Sequence, residues 1–547
     1  MRIFLMALCT SLLLAGSACT RNSGQQQPSR NPSVPLPEIP DRMFSITEFG
    51  ARGDGVFLNT EAINRAIDSC ASLGGGTVLI PEGLWLTGPI QLRSHIELRA
   101  EEGALIVFTT RFDDYPLVAT SFEGLETMRC TSPIHGRDLT DIAITGKGVF
   151  DGSGDAWRPL KKNMVHETQW KAKVASGGVV NAAGNTWYPS EQALKGSQIS
   201  TMNVPRQFTT EAEFATVKDF LRPVMVSLIQ CRNVLLEGVT FQNSPAWCVH
   251  PLMCENLTLR GLNIRNPWYS INGDGTDIES CKNVLIEDCR YDVGDDAICI
   301  KSGKDEDGRK RGMPTENLTV RRCVVYHGHG GFVVGSEMSG GVRNVEVSHC
   351  TFIGTDVGLR FKSTRGRGGV VENINIHDIT MIDIPAEAIL FDLFYHGQSP
   401  VPEPGTTRVE KPLIENSVVP VDETTPVFRN ISIRNIVCRN AGRGIFLQGL
   451  PEMPLSDVTM DNVFITCNTG MQCADTEGVT LSQVTLLSRT EPVVDIVNSR
   501  NIRLSSFTYA DSTRTVVRIQ GDRNEALETG VPDSLTEIIP YAAEVKR

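Results

Sequence analysis

The run Asn283-Val284-Leu285-Ile286, with Cys281 two residues before it and Cys289 six after, is one unit of a repeat. The same phrase stands at Asn233-Val234-Leu235-Leu236, Asn256-Leu257-Thr258-Leu259, Asn317-Leu318-Thr319-Val320, Asn344-Val345-Glu346-Val347 and Asn373-Ile374-Asn375-Ile376. Asn430-Ile431-Ser432-Ile433 and Asn501-Ile502-Arg503-Leu504 extend it. The first six asparagines are separated by 23, 27, 34, 27 and 29 residues. Between them lie short alternating strands and turns with no helical period. A repeat of this length without helices predicts an all-β parallel β-helix, each coil burying its face on the next. Leucine-rich repeats share the period, but their LxxLxL pattern and helix are missing.

The register makes further columns. Cys231, Cys254 and Cys281 precede the repeat asparagine by two residues, and Cys289, Cys323 and Cys350 follow it by six. Equal positions in successive coils stack about 4.8 Å apart, so these cysteines are expected as ladders of small buried side chains. The asparagines are expected as a turn-stacking ladder. The clearest helix, Thr60-Glu61-Ala62-Ile63-Asn64-Arg65-Ala66-Ile67, precedes the repeat and suits a cap over the open end of the solenoid. Residues 155–222, with Trp157, Trp170 and Trp187, and the proline-rich residues 396–427 lack the repeat and read as insertions.

At the N-terminus, Arg2, the apolar stretch 3–15 and Gly16-Ser17-Ala18 before Cys19 read as a signal peptide over 1–18. Cys19 is the expected lipid acceptor, followed by a polar, proline-rich tether to residue 42 and one catalytic domain over 43–547. That arrangement predicts a bacterial protein exported to the periplasm or outer membrane, touching the membrane only through the anchor. The chain has 547 residues and a net charge of -12, a poor match for nucleic acid, and any polyanionic substrate then needs local cations. No CxxC pair points to zinc.

Aligning the turn that enters the strand in successive coils puts Ile298, Phe332 and Leu359 in register. Asp274 then stacks on Asp296, and Asp295 on His329. Arg360 and Lys362 alternate with inward Leu359 and Phe361 and are expected to point outward. Stacked carboxylates repel and raise one another's pKa, which a structural corner has no reason to tolerate. Calcium also uses clustered carboxylates, but the two cations beside them oppose it.

Read in order, Asn272-Gly273-Asp274, Gly294-Asp295-Asp296, Gly328-His329-Gly330 and Arg360-Phe361-Lys362 resemble the four signature motifs of glycoside hydrolase family 28, the polygalacturonases. The resemblance covers about residues 45–510 and implies a right-handed, pectin-lyase-like β-helix. It implies hydrolysis of α-1,4-galacturonosyl linkages of pectin with inversion and without metal or cofactor. In that reading Asp295 protonates the leaving oxygen, Asp274 and Asp296 activate water, and His329 holds the protonation state of the acid. Arg360 and Lys362 grip the uronate carboxylate, and Asn272, Asp277, Lys301 and Arg309 complete the sugar-binding set. Gly273 stands where the family usually has threonine, and Ala386-Glu387 where many fungal members carry a tyrosine. The phrase from Lys301 to Gly341 resembles the bacterial exo-acting branch, and its extra cations Lys304, Arg309, Lys310 and Arg311 are expected at the end of a polyanion. A monomer working from a chain end is therefore expected. An endo-acting, rhamnogalacturonan or xylogalacturonan hydrolase, a lyase on the same solenoid and a non-catalytic glycan-binding protein are the competing readings.

Overall fold

The computed structural model describes residues 34–199, 203–395 and 418–539. The signal peptide, Cys19 and residues 396–417 of the second insertion lie outside them. The strands stack in parallel, each coil on the next. One column runs Ile134–Arg137, Val226–Ile229, Val249–Leu252, Thr276–Glu279, Asp296–Lys301, Gly330–Val334 and Val357–Lys362, all in parallel register. Ile278, Ile298, Ile300, Phe332, Val334, Leu359 and Phe361 of this column are fully buried, so every second residue fills the core. Their neighbours Asp277, Cys299, Lys301, Arg360 and Lys362 face the other way. The core stays layered at its C-terminal end, where Phe361 stacks on Phe391 with centroids 4.3 Å apart.

The asparagine repeat has a physical cause. Asn233, Asn256, Asn283, Asn317, Asn344 and Asn373 all take positive φ, between 53° and 58°. Asparagine tolerates that conformation because its short amide can bond locally. Here each amide bonds to the coil before it. Asn256 Nδ2 donates to Asn233 Oδ1 at 2.9 Å, Asn283 to Asn256 at 3.1 Å, and Asn317 to Asn283 at 3.1 Å. Asn233 starts the ladder on Asp141 Oδ1 at 2.9 Å. Asn283→Ala removes a bond on each side and forces alanine into the left-handed region, so it should cost about 2 kcal/mol in urea unfolding. Asn283→Gly, which removes only the amide bonds, should cost less. Equal losses would contradict a role for the backbone conformation.

The thirteen cysteines among the described residues are buried, and none is in a disulfide. The capping helix spans Thr60–Ser72 and buries Ala62, Ile63, Ala66, Ile67 and Cys70 against the first coil. Residues 155–222 leave the stack, and their three tryptophans are buried. They carry the helix Glu167–Ala175 and a small antiparallel sheet of Leu160–Lys161, Thr186–Tyr188 and Val179–Val180. A second departure has no counterpart in the sequence reading. Leu117–Phe122 and Leu125–Cys130 form an antiparallel hairpin that also leaves the solenoid. Among the described residues no helix is long and apolar enough to cross a membrane.

Candidate active site

The four motifs meet on the outer face of the column just described. Thr276 pairs with Ile298, and Asp296 with Gly330, which sets Asp274 over Asp296 and Asp295 over His329. The catalytic turn is held from behind by Asn266, whose amide donates to the carbonyls of Gly273 and Asp274 at 3.1 and 3.2 Å. Gly273 packs against Ser270, so an added Cβ would fall 1.9 Å from its Oγ. That is the local reason why no threonine stands here.

Asp274, Asp295 and Asp296 present carboxylate oxygens within 4.8 Å of one another. Their surroundings differ. Asp296 is 2% exposed and is clamped by Lys362 Nζ at 2.7 Å on Oδ2 and Arg360 Nη1 at 3.1 Å on Oδ1. Burial works against its charge, but Lys362 and Arg360 outweigh burial and hold its carboxyl well below the usual carboxylate range. Asp274 is buried with Oδ1 lacking a hydrogen bond. Burial first, then the charges of Asp295 and Asp277, push it well above that range. Asp295 has a side chain 24% exposed. Its Oδ1 accepts from the Asp296 backbone N–H at 3.0 Å and lies 3.1 Å from His329 Nδ1. One carboxyl therefore faces out, one is fixed as an anion and one favours its proton. A hard cation would find the set occupied, since both oxygens of Asp296 already hold cations.

The hydrogen bond to Asp295 raises the pKa of His329. A raised folded value means that the His329–Asp295 pair stabilises fully below the unfolded value of about 6.5, and that this contribution fades as pH rises through the folded value. His329→Ala should therefore lose more stability relative to the parent near pH 5.5 than near pH 9, read by urea unfolding. An equal loss at both would contradict the pairing.

Several expected sugar-binding groups are engaged within the protein. Lys362, expected on the surface, has a side chain 7% exposed. Lys301 is buried too, with Nζ 2.9 Å from Glu337 Oε2, 3.6 Å from Asp277 Oδ1 and 4.7 Å from the Trp247 ring centroid. Asp277 is fully buried, and neither of its oxygens has a hydrogen-bond partner. Burial raises its pKa, opposed by Lys301. Asn272 accepts from Arg222 Nη2 at 2.9 Å, which ties the catalytic turn to the end of the 155–222 insertion.

The cations after Lys301, expected at the end of a polyanion, have partners within the protein. The helix Asp305–Arg311 places acids in its first turn and bases in its last, in accord with its dipole. Its bases then turn to internal partners. Arg309 donates to the carbonyls of Gly366 and Arg367 at 2.7 and 3.1 Å, Lys310 pairs with Glu306, and Arg311 pairs with Glu279 at 2.6 Å and Glu126 at 3.3 Å. Arg309 and Arg311 thereby tie separate segments of the fold together.

What covers this face is the hairpin. Phe122 packs on Trp247 with centroids 4.4 Å apart, and Arg311 straps Glu126 of the hairpin to Glu279 of the sheet. The hairpin tip brings Glu123 to Asn203 at 2.6 Å, and Asn203 reaches Asn272 at 3.4 Å. Glu123 has a buried oxygen with no partner, and burial followed by Glu337 raises its pKa to about 7. On the opposite side Tyr395 places its ring 5.8 Å from the Arg360 guanidinium and 5.1 Å from Lys362 Nζ. Tyr395 thus supplies an aromatic ring beside the two cations, although Ala386-Glu387 stand where many fungal members of the family carry a tyrosine.

Comparison with known proteins reaches the same coils. The model described as "Glycosyl hydrolases family 28" matches residues 160–488. A hyperthermoactive exopolygalacturonase of solved structure from Thermotoga maritima is 34% identical, with a TM-score of 0.64 over 80% of this chain and 89% of its own. A "Probable polygalacturonase" of Vitis vinifera is 29% identical over 450 residues, 80% of this chain and 77% of its own. An exo-poly-alpha-D-galacturonosidase of Dickeya chrysanthemi is 28% identical over 368 residues, 65% of this chain and 57% of its own. With the parallel solenoid and the four motifs gathered on one of its faces, the chain belongs to glycosyl hydrolases family 28.

Proposed function

We propose that the enzyme hydrolyses α-1,4-galacturonosyl linkages of pectic polygalacturonate, from a chain end and with inversion. The observation that carries this reading is the division of the three carboxylates. Asp296 is held ionised by Lys362 and Arg360, Asp274 favours its proton, and Asp295 faces outward on His329. Interacting carboxyls titrate as a set, so position assigns the roles. Asp295 has the exposure needed to protonate a leaving oxygen, and Asp274 with Asp296 flank the place for a water. His329 orients Asp295 and stabilises its charge once the proton has left. Arg360 spends one Nη on Asp296 and has no partner for Nε, so it is the cation suited to grip a uronate carboxylate. Lys362 serves mainly to keep Asp296 ionised.

The carboxylate oxygens lie closer than the ~6.5–9.5 Å typical of inverting pairs. Inversion is therefore supported by the family and not by the gap, and the water must sit against Asp274 and Asp296 together. Chain-end action is supported by the hairpin laid across the sheet next to the site. The names of the Thermotoga and Dickeya relatives agree with it. Early products from polygalacturonate test it. Monomers or dimers with slowly falling viscosity are expected, and an early ladder of mixed oligomers would contradict it. We further infer export from residues 2–19, with Cys19 as the lipid acceptor, and one catalytic solenoid over 43–547. Loss of membrane association in Cys19→Ser tests the anchor.

A further inference from the structure

A second cavity, of about 360 Å³, opens on the same outer face. Its floor includes His135, Arg137 and Ser227 of the same column: Ile134–Arg137 lies four rungs toward the N-terminus from the strand that carries Asp296, and the strand of Ser227 lies three. At about 4.8 Å per rung, Ile134–Arg137 is roughly 19 Å from the Asp296 strand. Residues 118–121 of the hairpin form another wall, so the hairpin that covers the active-site face also bounds this cavity.

The lining has a distinct chemistry. Arg93, Arg129 and Arg137 contribute to it, and among the described residues no carboxylate side chain does, although the chain as a whole carries a charge of -12. Arg129 is buried with Nη2 lacking a partner. Arg137 is exposed and gives one Nη to the Ala119 carbonyl at 3.1 Å, while Arg93 pairs through Nε with Asp68 at 2.9 Å. Each guanidinium carries five donors, so both retain capacity for a carboxylate.

His135 adds a different demand. Its Nδ1 lies 3.1 Å from the Ser132 carbonyl, which can only accept, so Nδ1 carries the proton and Nε2 is an acceptor. Burial lowers the pKa of the ring, which disfavours a second proton. An acceptor beside Ser132 and Ser227 suits a ligand with hydroxyl groups. Val118, Val224 and Ile229 supply an apolar wall for the carbon face of a ring. The volume lies near the lower end of ordinary ligand sites, the size of one or two sugars.

We propose that this cavity is an accessory site for a hexuronate, free galacturonate or the end of a short oligogalacturonide. Its carboxylate is held by Arg93 and Arg137, and its hydroxyls by His135 and Ser227. The choice of sugar rests on the function proposed above; the anionic, hydroxyl-bearing class rests on the cavity.

The test is a binding titration on the full-length Asp295→Asn chain, which does not consume the ligand. Adding Arg93→Ala and Arg137→Ala should remove one equivalent of galacturonate or weaken it by at least ~10-fold. In the otherwise wild-type chain the same pair should leave kcat unchanged. Digalacturonate in a parallel titration separates the sources, because uptake of the disaccharide alone identifies an oligosaccharide end. The same number of equivalents at the same affinity in the arginine variant, for both sugars, would overturn the proposal. So would inorganic phosphate competing as well as galacturonate, or D-galactose binding equally. Because Arg137 also tethers the hairpin, a crystal of the parent chain soaked in galacturonate provides a second readout. Sugar density between Arg93 and Arg137 is expected, and an empty cavity beside an occupied active site would overturn the proposal. Failure to cleave polygalacturonate would sink the function proposed for Asp295 and leave this titration to decide the cavity by itself.

Discussion

Asp295→Asn should lower kcat on polygalacturonate by at least ~10²-fold while leaving the fold intact, because the acid is lost but a partly exposed, isosteric side chain is not a packing element. The same substitution at the other two positions should lower kcat as much and affect stability differently. Burial, then the charges of Asp295 and Asp277, raise the pKa of Asp274, so Asp274→Asn should cost less in urea unfolding than the same change at Asp296. Asp296→Asn should destabilise, because it leaves Lys362 and Arg360 beside a group that cannot balance them. Near-parent turnover in any two of the three would sink the site assignment. Equal stability losses in all three would contradict the electrostatic division between them.

Lys362→Met is the second large effect. It removes the 2.7 Å partner of a carboxylate that is 2% exposed, and the methionine fills the space without the charge. Breaking a buried pair from one side costs about 3–5 kcal/mol, because a buried charge is left behind. Adding Asp296→Asn should recover much of that loss, since no buried carboxylate then remains to be compensated. Both the single and the double variant should be inactive. A Lys362→Met chain as stable as the parent would mean that the lysine is a surface cation after all, acting on substrate alone.

That correction shows where the sequence is informative. Asn233, Asn256 and Asn283 reveal the solenoid because every coil solves the same problem, a left-handed corner that needs an amide partner above and below. Once Ile298, Phe332 and Leu359 are in register, the stacking of Asp274 on Asp296 follows from rung spacing alone. The side of the sheet on which Arg360 and Lys362 lie was legible for the same reason. Their burial was not, because it depends on what lies across that face. Asp296 and the Tyr395 ring enclose them from distant coils, and the Leu117–Cys130 hairpin beside the site carries no repeat asparagine. Its one local signal is Glu123-Gly124 between two alternating runs, and both residues take positive φ, 51° and 71°, as a tight two-residue hairpin turn requires. The partners of the bases in the Asp305–Arg311 helix were hidden for a related reason. Their charge is plain in the sequence, but Glu279 and the carbonyls of Gly366 and Arg367 reach them only in the fold.

Bond cleavage at Asp295 leaves a chemical record in its products. Trigalacturonate followed by proton NMR from the first turnover reads it. Saturated galacturonate and digalacturonate are predicted, with the new reducing end first seen as the β-anomer and no signal in the Asp295→Asn chain. An unsaturated product would make the enzyme a lyase, an α-anomer would make it a retaining hydrolase, and either would contradict the roles given to Asp274, Asp295 and Asp296.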